Sequence, residues 1–141
     1  NDRQAVLFDL DGTLADIEDV LALHKIKHPD YAIEAKDADP FPNMIAKVKK
    51  EKDKGRDVVI LTARSAHYRK VTKDWLHKHD VPYDALYMRP TDDVRSDKKV
   101  KKSILKEDVL PNFEVKKAYD DKKKNVKMFE KEGIDAKQAN K

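Results

Sequence analysis

Asp9 and Asp11 are the first residues whose types and spacing could do chemistry. They sit in the run Val6-Leu7-Phe8-Asp9-Leu10-Asp11-Gly12-Thr13-Leu14, where an apolar stretch passes directly into two acids, a glycine and a threonine. If strand geometry persists through the run, a period of two puts both carboxylates on one side of the chain. Gly12 allows a turn that a residue with a Cβ resists. Three further stations follow: Thr62-Ala63-Arg64, then Asp97 with Lys101 four residues on, then Asp120-Asp121. A cluster of carboxylates in a small space repels itself unless a cation joins it, and hard oxygen ligands favour Mg2+. A hydroxyl and two cationic groups beside such a centre describe phosphoryl transfer, where catalysis is mostly positioning and charge neutralisation. One carboxylate can form a covalent aspartyl-phosphate. A second can protonate the leaving group and then activate water.

The elements that must position these groups alternate. Gln4–Phe8 reads as a strand, as do Asp57–Thr62, Ala85–Met88, Val115–Tyr119 and, at an edge, Ile134–Ala139. Helical spacing is expected from Asp16, as cap, to about Lys27, then from Pro42 until Gly55 closes the helix. Three more helices are expected over Tyr68–His79, Asp97–Leu110 and Lys122–Glu132. Pro29 to Pro42 reads as irregular, and the tail Gln138–Lys141 is expected to fray. Strand alternating with helix implies parallel βαβ units in an α/β fold, a three-layer α/β/α sandwich on a five-stranded parallel sheet. In a parallel sheet the strand ends share one edge, so the four stations converge on one crevice.

At 141 residues the chain fits one domain over residues 1–141, large enough for a sizeable core. Charged residues make up 41%, yet the net charge is only +4, and the interspersed signs fit a solvated surface. Basic residues thicken between Arg95 and Lys127, a distribution that could attract phosphates or a nucleic-acid backbone. The absence of cysteine excludes disulfides and thiolate metal sites and is compatible with a reducing cytosol. No apolar run approaches the roughly 18 residues of a membrane span. The chain opens Asn1-Asp2-Arg3-Gln4, with no signal peptide, and the missing Met points to an excised segment with flanking domains left open. No G-x-x-x-x-G-K-[ST] occurs, which argues against an ATP-binding kinase in this segment.

The four stations, in this order, resemble the four motifs of the haloacid dehalogenase (HAD) superfamily across essentially the whole chain. The resemblance implies a Rossmann-like, HAD-like sheet, with Asp9 as nucleophile and Asp11 as general acid and base. It implies that Thr62 holds a phosphoryl oxygen and Lys101 neutralises charge. It further implies a Mg2+ held by Asp9, Asp11 (through its backbone carbonyl), Asp120 and Asp121. The text is similar in more detail to the 3′-phosphatase domain of bacteriophage polynucleotide kinase. That similarity rests on Phe8-Asp9-Leu10-Asp11-Gly12-Thr13-Leu14-Ala15, Thr62-Ala63-Arg64, Arg95-Ser96-Asp97 with Lys101, and Ala118-Tyr119-Asp120-Asp121-Lys122. By this likeness Arg64, Asp97 and Lys122 also handle phosphate. Asp97 is expected to reach Lys101 one helical turn away and hold it. The family's substrate-binding arginine after the first motif has no counterpart in Asp16–Lys27, where His24, Lys25 or Lys27 would have to stand in.

Residues 15–42 leave room for only a small cap or lid, so the site is expected to stay open to a macromolecular end. The expected function is a Mg2+-dependent phosphomonoester hydrolase acting on phosphorylated nucleic-acid ends, foremost a 3′-phosphate, in the cytoplasm (the host's, if the chain is phage-encoded). One alternative is a nucleotidase or general small-molecule phosphatase. Another is a phosphate- or nucleic-acid-binding domain that has lost catalysis.

Overall fold

The computed structural model describes residues 3–18, 33 and 35–140. The expected helix from Asp16 to Lys27, with His24, Lys25 and Lys27, lies almost wholly outside them; Asp16 Oδ1 does accept from the Glu18 amide at 3.2 Å, as a cap would. Seven strands are described: β1 (Gln4–Phe8), β2 (Ala15–Asp16), β3 (Asp39–Pro40), β4 (Asp57–Ser65), β5 (Ala85–Arg89), β6 (Glu114–Asp120) and β7 (Asp135–Gln138). The described α-helices are α1 (Pro42–Asp53), α2 (Arg69–Lys78), α3 (Asp97–Ile104) and α4 (Lys123–Lys131). The main sheet runs β5-β4-β1-β6-β7, with every neighbouring pair parallel. β1 is therefore central, and its carboxyl end lies among those of β4 and β6.

Side-chain alternation sorts the core into two layers. Val6, Phe8, Val58 and Ile60 pack with Met44, Ile45 and Val48 of α1 and with Trp75 and Leu76 of α2. Ala5, Leu7, Val59 and Leu61 pack on the other face with Val100 and Ile104 of α3 and with Val126 and Phe129 of α4. Both faces of β1 are covered, which is why it reads as an unbroken apolar run. Continuing the same alternation puts Asp9 on the α3 side, after Ala5 and Leu7. Asp120 falls on that side too, two residues after Ala118.

Four local features depart from the expectation. β4 continues to Ser65, three residues beyond Thr62, with a register shift against β5 that absorbs the extra length. The last turn of the expected 97–110 helix is π-helical over Leu105–Val109, where the Leu110 amide reaches back to the Leu105 carbonyl at 2.9 Å. The wider turn keeps Leu105 and Val109 buried together. β2 and β3 form a two-stranded antiparallel ribbon: β3 lies in the stretch that read as irregular, and β2 takes in Asp16, which read as a helix cap. Strands of two residues carry no periodicity to detect. The tail does not fray through residue 140: Ala139 is buried and its amide bonds the Asp120 carbonyl at 2.9 Å.

Candidate active site

β1 ends at Phe8, and the chain then folds tightly on itself. The Leu10 carbonyl accepts from the amides of Thr13, Leu14 and Ala15 at 3.1, 2.8 and 3.0 Å. The Asp9 amide still bonds the Tyr119 carbonyl at 2.9 Å, so strand geometry is lost only from Leu10 on, and the two acids diverge. Asp9 stays on the α3 side, while Asp11 turns to the Arg64 guanidinium, with which it forms an ion pair. Gly12 has φ +86°, and a Cβ there would collide with the Asp121 carboxylate, so the turn needs glycine on both counts.

Asp9 is 4% exposed. Its Oδ1 accepts from Lys101 Nζ at 2.8 Å and its Oδ2 from Thr13 Oγ1 at 3.0 Å, which together fix the carboxylate's orientation. Lys101 also donates to Asp120 Oδ2 at 2.6 Å. Asp120 accepts in addition from the Lys122 amide at 2.9 Å and from Asn125 Nδ2 at 3.2 and 3.3 Å. Burial pushes the Asp9 carboxyl well above its usual range; Lys101 opposes the rise, and Asp120 and Asp121 add to it. Burial pulls the Lys101 ammonium down, but Asp9 and Asp120 outweigh it and hold its pKa above the ordinary lysine value.

Arg64 is 3% exposed and spans two elements. Its Nη1 donates to Thr72 Oγ1 on α2 at 2.9 Å, and its other nitrogens face Asp11. Thr62 Oγ1 accepts from the Arg64 amide at 3.1 Å, which leaves the hydroxyl proton to donate. Asp97 does not pair with Lys101. Lys101 points under the sheet edge to Asp9 and Asp120, whereas Asp97, at the exposed start of α3, accepts from Arg89 Nη2 at 2.7 Å and Lys122 Nζ at 3.1 Å. Arg89 further donates to the carbonyls of Ala63, Asp93 and Arg95 at 2.8, 2.9 and 2.6 Å, bracing the loop that leads into α3.

These groups line one cavity of about 330 Å3. Asp9, Asp11, Thr62, Arg64, Asp97, Lys101, Asp121 and Lys122 all reach its wall. Asp120 stands behind it, holding Lys101. Thr13, Thr72, Arg89 and Asn125 complete the arrangement and were not singled out in the sequence. Thr13 stands inside the first motif, so its position was a usable signal. Thr72 reads only as part of an amphipathic face, and Arg89 and Asn125 read as ordinary polar residues near strand ends.

The donor set suits a hard cation. Asp9, Asp120 and Asp121 each offer an oxygen, all within 4.8 Å of one another. Among the described residues Asp121 Oδ1 is buried without a partner. Asp9 and Asp120 pair with Lys101, and Asp11 with Arg64; a divalent ion would offset the negative charge that Asp9, Asp120 and Asp121 gather in one place. Oxygen-only ligation of this kind fits Mg2+. Among the described residues no helix is long and apolar enough to cross a membrane.

Comparison with known proteins agrees with this geometry. The family model for the polynucleotide kinase PNKP phosphatase domain matches residues 3–141. A chain in the structure of a Pnkp1/Rnl/Hen1 complex superposes with a TM-score of 0.86 at 30% identity, covering 96% of this chain and 45% of its own length. This chain thus spans less than half of that one. The class C acid phosphatase from Bacillus anthracis with tungstate bound gives a TM-score of 0.65 at 15% identity, over 94% of this chain and 62% of its own. The D,D-heptose 1.7-bisphosphate phosphatase from B. bronchiseptica, complexed with magnesium and phosphate, gives 0.61 at 16% identity, over 94% and 78%. The last two show the fold alone. With nearly its whole length matched, the chain belongs to the polynucleotide kinase PNKP phosphatase domain family within the HAD superfamily.

Proposed function

We propose that the chain is a Mg2+-dependent phosphomonoester hydrolase that removes a 3′-phosphate from a nucleic-acid end. The observation that carries the reading is Asp9: a buried carboxylate, oriented by Lys101 and Thr13, at the floor of a cavity walled by phosphate-type donors. Asp9 attacks phosphorus and the ester bond to the leaving oxygen breaks, giving an aspartyl-phosphate. Asp11 gives that oxygen a proton, then takes one from the water that attacks phosphorus and frees Asp9. Thr62 and Arg64 donate to the phosphoryl oxygens, with Lys122 at the mouth. Asp97 holds Lys122 and Arg89 in place. The residues that would hold Mg2+ are Asp9, Asp120 and Asp121, with the Asp11 carbonyl; the ion neutralises phosphoryl charge and the mutual repulsion of the acids. The family match favours a polynucleotide end over a free nucleotide.

The test is turnover of a 3′-phosphorylated oligonucleotide and of a nucleoside 3′-monophosphate, with Mg2+ and with chelator. The expected result is Mg2+-dependent release of phosphate, faster from the oligonucleotide, with at least about a 10³-fold loss in Asp9→Asn. Preference for the mononucleotide would make the chain a nucleotidase. Turnover that survives Asp9→Asn would remove the mechanism, and binding without turnover would leave a phosphate-binding domain.

A further inference from the structure

The chain's last described residue reaches its first motif. β7 runs beside β6, with Gln138 opposite Asp120, and the Ala139 amide extends the ladder to the Asp120 carbonyl at 2.9 Å. Ala139 is buried in the same apolar layer as Phe8, Leu10 and Leu14. Asn140 then takes φ +58°, a left-handed conformation that asparagine tolerates better than most residues. The turn swings its side chain across the sheet edge, where Nδ2 donates to the Gly12 carbonyl at 2.8 Å and the Thr13 carbonyl at 3.2 Å. Gln138 Nε2 donates to the Asp121 carbonyl at 2.9 Å. The tail therefore ties together the turn carrying Asp11, Gly12 and Thr13 and the turn carrying Asp120 and Asp121. These two turns already press on each other at Gly12 and Asp121, and Asn140 lines the same cavity.

We propose that Asn140 is a positioning residue of the active site. By holding the Gly12 and Thr13 carbonyls it sets the first turn against the second. It thereby fixes the Thr13 hydroxyl on Asp9 and the spacing of Asp9 from Asp121. Its rate and Mg2+ readouts rest on the phosphatase reading above; its exchange readout does not.

Asn140→Asp and Asn140→Gly both accept the positive φ, and neither supplies the amide donor. They are compared with wild type and with Lys137→Ala, whose exposed side chain on β7 pairs, among the described residues, with Asp135. Hydrogen exchange over residues 10–15 is expected to be about tenfold faster in both Asn140 variants, with residues 57–62 unchanged. The Mg2+ concentration that half-saturates thermal stabilisation is expected to rise about fivefold. Turnover number on a 3′-phosphorylated oligonucleotide is expected to fall about tenfold with KM within about twofold, and Lys137→Ala to match wild type throughout. Exchange over 10–15 that stays at the wild-type rate in both variants overturns the proposal, as does a loss of turnover without that change. A wild-type protein that hydrolyses no phosphomonoester removes the proposed function instead, while the exchange comparison still decides the role of Asn140.

Discussion

The floor of the site and its rim are built from the same kinds of groups in opposite settings. At the floor, Lys101, Asp9 and Asp120 have side chains 3%, 5% and 0% exposed and are packed against the sheet edge. At the rim, Lys122 and Asp97 are 45% and 23% exposed, and Arg89 joins them. Buried charges lose hydration that only an exact set of partners returns, so each floor group depends on the others. Rim charges keep much of their water and are screened by salt, so their pairs contribute little to stability. The floor is thus part of the scaffold as well as of the candidate site, whereas the rim can be retuned without unfolding the protein.

That contrast can be broken at its strongest point first. Lys101→Met leaves Asp9 and Asp120 buried without their cation, and about 3–5 kcal/mol of stability is expected to be lost in urea unfolding. A loss below about 1 kcal/mol would show that the floor does not behave as a coupled unit. Arg64→Lys keeps the charge but removes the planar fork that faces Asp11 while bonding Thr72; turnover is expected to fall about thirtyfold with the fold intact by circular dichroism. Lys122→Ala is expected to raise KM only about threefold at low salt and less at high salt, with an unchanged unfolding midpoint. The smallest effect lies furthest out on the rim. Hydrogen bonds from Arg95 hold the Asp93 carboxyl down to about 2 from an ordinary 3.8. Since the folded value lies below the unfolded one, this contribution is complete above the unfolded value and fades as pH falls toward 2. Carboxyl NMR should show Asp93 titrating closer to its ordinary value in Arg95→Ala, which removes the side-chain bonds and keeps the backbone one.

How much of this was legible depended on the range over which each signal acts. β1 and β4 announced themselves because both of their faces are buried, and Pro42 and Gly55 marked α1 by backbone preference alone. The carboxylates were legible because they cluster at strand ends: Asp9 directly follows the apolar β1, and Asp120 closes β6. What bonds to what was not. Spacing suggested Asp97 for Lys101, yet Lys101 pairs with residues 92 and 19 positions away, and Asp97 with Arg89 and Lys122. Four-residue spacing places two side chains on one helical face but says nothing of the strands beneath it. The β2–β3 ribbon and the Asn140 contact were hidden for a related reason: both are joined by tertiary hydrogen bonds that leave no periodic trace.

The central place of β1 has a consequence for dividing the chain. Thr91 and Asp92 lie exposed between the two halves of the site. Everything before them supplies Asp9, Asp11, Thr62 and Arg64; everything after them supplies Lys101, Asp120 and Asp121. Neither fragment holds a complete centre, and the seam between them is chiefly the β1–β6 ladder and the apolar layer beneath it. A chain cut there has the candidate centre only as an association of two pieces, so the proposed phosphatase activity would become a reporter of whether the pieces have met.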